Sequence, residues 1–379
     1  MKKYCKNVDI LDIEFLELCA KDCLRKKWKR RDVEEYFARL LHEGRSVIRQ
    51  KIRGGGRSEL IRAAALHMQR ELTGQNISLV PIWYKEKIDA SNGKTRWIGI
   101  QHISQQLYDY VAVYGMKDLL RRVGEHQYAS IPGRGQTKGV RQIRKWLREK
   151  DVRYAVQLDV KKCFPSVPLT RVLAMIDKYV ANPNLKWLVR RLLGTYKRGL
   201  AIGSYLSQYL CNLYMSRLYH EIRERMYSQR RGKRIPLAKH SLLYMDDILL
   251  LASAAKNLYK AVQLIIRYAR DEMGLTIKDG WAVRQLQDGD FIDMMGYRIY
   301  RDHVTIRRRV FIRIRRAFVR ARRHELTMQM AYRCISYNGV VENADSHGFA
   351  KKYKTAQIVQ RSKEMISHES LFRRAAAAA

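Results

Sequence analysis

The chain has 379 residues, enough to bury a sizeable core and more than one lobe, and its 46% hydrophobic content excludes a disordered tail protein. Lys and Arg total 75 against 36 Asp and Glu, a formal net charge of +39. A compact body with that much like charge repels itself until a polyanion binds, which points to nucleic acid without separating a binder from an enzyme.

Residues 9 to about 75 read as basic helices, one begun by Ile10, Ile13, Leu16 and Leu18, another striped by Val33, Tyr36, Phe37, Leu40 and Leu41. Gly54, Gly55 and Gly56 interrupt them as a flexible turn. From Ile77 to about Arg301 the pattern changes to strands, turns and mixed helices. Tyr154, Val156, Leu158 and Val160 alternate as a strand with one buried face, and helical stretches run around Leu169–Tyr179 and 205–226. Residues 242–251 are apolar on both sides of two aspartates, as a hairpin would be. Beyond Arg301 the chain is basic again and mostly helical, and the alanines of 375–379 read as an added tail. The expected units are therefore 1–75, 76–300, 301–374 and 375–379. Cys5, Cys19, Cys23, Cys163, Cys211 and Cys334 form no pair of CxxC motifs and read as reduced core thiols of a cytoplasmic protein. No signal peptide opens the sequence, and no run reaches the length of a membrane span.

Two adjacent carboxylates stand inside the apolar run, in Tyr244-Met245-Asp246-Asp247. Burial strips them of hydration at a cost that a cation can offset, and a turn between strands lets a divalent ion do so while the flanks stay in the core. Upstream, Leu158-Asp159-Val160-Lys161-Lys162-Cys163-Phe164-Pro165-Ser166 ends a strand on a third carboxylate and brings an aromatic five residues later. Asp159 alone reads as an ordinary strand-end acid. With the hairpin it completes a set suited to two-metal phosphoryl transfer, which draws carboxylates from separate strands.

LDVKKCFPSV, IGSYLSQ, YMDD, GLTIK and MMGYRIY, in this order over about residues 80–300, resemble the successive palm motifs of reverse transcriptases. The resemblance implies an α+β right-hand polymerase, with fingers and palm (an antiparallel palm sheet plus helices) followed by a helical thumb. It implies an RNA-directed DNA polymerase using two divalent ions, Mg2+ foremost with Mn2+ as the alternative, at Asp159, Asp246 and Asp247 with Val160 among the metal and nucleotide contacts. Phe164 becomes the steric gate beneath the sugar, Lys94 and Arg96 the grip on the triphosphate, and Lys278 the donor of a proton to leaving pyrophosphate. Ile202, Gly203, Ser207, Gln208 and Tyr244 are implied to border the nascent pair. Arg134, in Ile131-Pro132-Gly133-Arg134-Gly135, resembles the loop leading to a template-contacting helix. Arg315, Arg316 and Arg320 lie on a helix whose seam is Val310, Phe311, Ile314 and Phe318, a basic face suited to a duplex backbone.

Most members read Gln-Gly-x-x-x-Ser-Pro where this chain reads Ile202-Gly203-Ser204-Tyr205-Leu206-Ser207-Gln208. That form resembles the enzymes of diversity-generating retroelements, bacterial or phage-encoded, which misinsert opposite adenines of a template-repeat RNA and need a small basic accessory variability protein. An aliphatic at 202 removes a hydrogen-bonding group near the templating base and loosens the check on base geometry. The implied partners are a structured noncoding or template-repeat RNA, the cDNA product and dNTPs, with no membrane. Two other readings stay open: an antiphage reverse transcriptase acting with a noncoding RNA, and a non-catalytic RNA-binding scaffold, which the complete carboxylate set disfavours.

Overall fold

The computed structural model describes residues 2–88, 93 and 95–378. Four helices open the chain: α1 (Ile13–Leu24), α2 (Arg31–Leu41), α3 (Arg45–Arg53) and α4 (Arg57–Thr73), with the glycines of 54–56 between the last two. Asp12 caps α1, its carboxylate accepting from the Phe15 N–H at 2.8 Å. Leu16, Cys19, Ala20, Cys23 and Leu24 form the buried stripe of α1. Leu18, expected on that stripe, is 49% exposed, because two residues at 100° each turn it to the far side from Leu16.

An antiparallel hairpin, β1 (Trp83–Ile88) with β2 (Thr95–Ile100), leads into α5 (Ile103–Gly115) and α6 (Gln136–Leu147). Then come β3 (Tyr154–Asp159), the short α7 (Cys163–Ser166), α8 (Leu169–Tyr179), α9 (Pro183–Leu193) and α10 (Tyr205–Glu224). A second small hairpin, β4 (Tyr227–Arg230) with β5 (Lys233–Pro236), precedes the apolar hairpin β6 (His240–Tyr244) and β7 (Asp247–Ala252). After α11 (Ala255–Met273) and β8 (Arg284–Gln285), β9 (Ile292–Met294), β10 (Tyr297–Ile299) and β11 (Val304–Ile306) make a three-stranded antiparallel sheet. The chain closes with helices α12 (Arg308–Arg323), α13 (Met328–Glu342), α14 (His347–Tyr353) and α15 (Thr355–Ala378), the last running through the alanines.

A four-stranded sheet, ordered β6-β7-β3-β8, divides two hydrophobic cores. Val156, Leu158, Leu243, Ile248 and Leu250 face the core built with α10, α11 and the N-terminal helices. Ala155, Leu242, Leu249 and Leu251 face the core shared with α6, β9 to β11 and α12 to α15. The one-sided strand expected at 154–160 is thus buried on both faces: Ala155 is 1% exposed, and Gln157 reaches across to the Asp293 carbonyl at 3.0 Å. Small and amide side chains gave no apolar signal on that second face. A boundary at 300/301 would cut the three-stranded sheet between β10 and β11, since Tyr297 pairs with Ile306. On α12 the seam is Ile314, Phe318 and Ala321, with Val310 and Phe311 partly covered. All six cysteines are buried free thiols. Among the described residues no helix is long and apolar enough to cross a membrane.

Candidate active site

β3 ends on Asp159 and β7 begins on Asp247, and antiparallel register sets the two directly opposite each other. Tyr244 pairs with Asp247, so Met245 and Asp246 alone make the hairpin turn. Met245 adopts φ +59°, a left-handed conformation that costs a non-glycine residue about 1 kcal/mol or more and is repaid by the surrounding pairing. The Val160 N–H donates to the Asp246 carbonyl at 3.1 Å, clamping the turn against the end of β3. The Val160 side chain is fully buried. Residues 276–278 extend the edge on the other side, where Lys161 N–H bonds the Thr276 carbonyl and Lys278 N–H bonds the Asp159 carbonyl, both at 2.8 Å.

Electrostatics at this corner are dominated by crowded negative charge. Burial, then the neighbouring carboxylates of Asp246 and Asp159, pushes Asp247 up to about 7. Burial also raises Asp246, with Asp159 pushing the same way and Lys278 and Arg96 pulling it back. That influence brings Arg96, on the exposed side of β2, into the electrostatic range of the carboxylates. Lys278 Nζ stands 2.5 Å from Asp159 Oδ1, an ion pair whose angles leave that buried oxygen without an aligned donor. Arg307 pairs with Asp293 at 2.6 Å and lies near enough to pull Asp247 down.

Among the described residues no three His, Cys, Asp or Glu side chains converge closely enough to hold a metal ion as they stand. The donor set nevertheless suits a hard divalent cation: it is oxygen-only, negatively charged, partly buried and includes an Asp159 Oδ1 with no aligned hydrogen bond. For all three to share ions, Asp159 must exchange its contact with Lys278.

Phe164 sits on α7, half-buried against the first core. Its carbonyl accepts from Leu200 N–H at 2.8 Å, and Gly199, at φ +49°, fits there because a Cβ would run into the carbonyls of Phe164 and Pro165. Three residues on, Ile202 is half-buried, and its carbonyl accepts from the Gly99 N–H of β2 at 2.7 Å. Gly203 has φ +106°, and a Cβ on it would lie 2.8 Å from the Gly99 oxygen. Ile202 and Gly203 are thus strapped to the β1–β2 hairpin by backbone. Gln208 is exposed one turn into α10, whereas Ser207 is fully buried with its hydroxyl directed at Tyr196. Tyr244 is half-buried, its phenol pushed up by burial and by Asp247.

Lys94 lies outside the described residues. Arg134 donates to the carbonyls of Gly124 and Gln127, holding the turn that precedes α6. Arg315, Arg316 and Arg320 are exposed on α12, with Arg315 bonded to the Tyr353 hydroxyl at 3.1 Å. The structure therefore gathers Asp159, Asp246, Asp247, Lys278 and Arg96 at one corner, while Arg134 is bonded in the turn before α6 and the α12 arginines lie on the exposed face of their helix. Sequence reasoning missed Gly99 and Gly199, whose close backbone approaches carry only the signal of a glycine within a motif, and the pairing of Arg307 with Asp293.

A family model described as reverse transcriptase (RNA-dependent DNA polymerase) matches residues 85–280. No curated protein matches the chain. Among solved structures, a telomerase from Candida albicans in complex with a fragment of telomeric RNA is 12% identical, with a TM-score of 0.46, over 79% of this chain and 59% of that one. An apo telomerase from Candida tropicalis, truncated from the C-terminal domain, is 14% identical with a TM-score of 0.41 over 60% and 54% of the two chains. The chain spans little more than half the length of these structures.

Proposed function

The chain belongs to the reverse transcriptase family, and from that premise we propose that it copies a specific RNA into cDNA with loose selection opposite template adenine, as in a diversity-generating retroelement. Its activity is that of an RNA-directed DNA polymerase. The observation that carries the chemistry is the corner where Asp159 faces Asp247 beside the Asp246 turn, with Asp246 and Asp247 raised by burial and by the carboxylates beside them. Asp159, Asp246 and Asp247 would hold two divalent ions, Mg2+ foremost, which when bound would supply the charge that activates the primer 3′-hydroxyl and steadies the leaving pyrophosphate. The chain's own residues divide the remaining work. Phe164 closes the space beneath C2′ and so selects deoxynucleotides. Arg96 holds the triphosphate through two guanidinium contacts. Lys278, once released from Asp159, hands its proton to the pyrophosphate. Arg134 sets the loop before α6 on the template side, and the α12 face follows the duplex as part of a thumb.

Loose selection is supported by Ile202: an aliphatic side chain, fixed by its own carbonyl bond to Gly99, with nothing to offer a base by hydrogen bonding. The partners of this reading are a template-repeat RNA and a small basic accessory protein. Primer extension on adenine-rich RNA, with sequencing of the products, tests it. Errors concentrate at adenines, and Ile202→Gln lowers them about tenfold, a difference of about 1.4 kcal/mol in transition-state discrimination. A flat, low error spectrum unchanged by Ile202→Gln overturns the diversifying reading and favours a faithful enzyme such as an antiphage one.

A further inference from the structure

Behind the Ile202–Gly203 loop lies a buried carboxylate that the chemistry of the aspartate corner does not use. Asp109 of α5 is fully buried. Its Oδ2 accepts from the Ser204 hydroxyl at 2.8 Å and from the Leu206 N–H at 3.4 Å, so it sits at the N-terminus of α10. A carboxylate there is favoured by the helix dipole and by the unpaired N–H groups of the first turn. Ser204 is the N-cap of α10, its hydroxyl also accepting from the Ser207 N–H at 3.1 Å. Tyr196 completes the network, its hydroxyl 2.8 Å from the Ser204 hydroxyl and 3.4 Å from that of Ser207. Burial raises Asp109 to about 6, while Ser204, Leu206 and Gln101 ease the charge. The Gln101 amide and Asp109 Oδ1 make no aligned bond of their own.

This anchor and the Gly99 strap grip the same five residues from two sides. Gly99 holds the Ile202 carbonyl from β2, and Asp109 holds Ser204 and Leu206 from α5, which follows β2 directly. Arg96 is three residues before Gly99 on the same strand. We infer that Asp109 is a positioning residue for nucleotide selection: through Ser204 and Leu206 it fixes the Ile202–Gly203 loop relative to the Arg96 hairpin without touching substrate. The inference rests on the reading that this loop borders the incoming nucleotide.

Single-turnover primer extension on the full chain tests it, with dNTP concentration varied. Asp109→Ala raises the dNTP KM about tenfold while kcat falls less than about threefold, and Asp109→Asn, which keeps an acceptor oxygen, restores KM to within about threefold of the parent. A fall in kcat, RNA affinity and melting temperature together, with KM unmoved, marks a merely structural residue and overturns the inference. Should Asp109→Ala fail to fold, Ser204→Ala removes one donor from the same network and must show the KM shift in milder form; an unshifted KM overturns the inference again. Ile202→Ala, measured in parallel, separates the premises. If it moves KM and the Asp109 variants do not, the inference falls and the loop's placement stands; if neither moves KM, both fall.

Discussion

One fully buried carboxylate and a partly buried cluster of three meet opposite answers to the same problem in this molecule. Burial pushes Asp109 to about 6 and Asp247 to about 7. At Asp109 the chain supplies the reply itself, with the Ser204 hydroxyl, the Leu206 amide and the N-terminus of α10. At Asp247 the next influences are two more carboxylates, which push the same way as burial. A carboxylate answered by backbone and hydroxyl donors fixes the position of an element. One crowded by its own kind, with Lys278 and Arg307 offsetting the crowding only in part, favours the arrival of further cations, and that difference separates positioning from chemistry here.

The same isosteric change at both places gives the sharpest contrast. Asp246→Asn is expected to reduce nucleotide incorporation by about a thousandfold or more, since a lost metal ligand removes transition-state stabilisation, while RNA affinity stays within about twofold. Asp109→Asn stays close to the parent. Single-turnover extension and filter binding on the two variants check this, and Asp246→Asn retaining near-parental rates would break the comparison. Phe164 lies on α7, its carbonyl bonded to Leu200 just before the Ile202 loop. Phe164→Val should open room beneath C2′ and raise ribonucleotide incorporation about ten- to a hundredfold, as read from competition between dNTP and rNTP. Rejection of ribonucleotides undiminished in both Phe164→Val and Phe164→Ala moves the gate elsewhere. The smallest effect belongs to the exposed basic face of α12. Neutralising Arg315, Arg316 and Arg320 together should lower the slope of log affinity against log salt by about three at most, with catalysis on saturating template unchanged. An unaltered slope would mean those side chains are only solvated.

What the sequence made legible follows from where residues break local rules. Asp246 and Asp247 stand out because two charges interrupt an apolar run, and the hairpin with its two-residue turn forms where that run lies. Helix spacing placed α8 at Leu169–Tyr179 and the start of α10 at Tyr205. Asp109 had no such signal: one acid in a helix reads as a solvated spot, and its partner Ser204 is 95 positions away. Lys278 carried a motif but not its contact with Asp159, which depends on residues 276–278 joining the sheet edge. Arg134 reads from its motif as a template contact, while the fold gives its guanidinium two backbone carbonyls. Among 75 basic residues, composition cannot say which ones the fold ties down.

The claim that the crowded carboxylates and not the answered one hold the ions is tested most directly by counting Mn2+ bound to the full chain in its primer–template–dNTP complex, by electron paramagnetic resonance. Wild type and Asp109→Asn should bind two ions alike, and Asp246→Asn should lose at least one with its affinity for the RNA intact. Equal Mn2+ binding by wild type and Asp246→Asn would contradict the account.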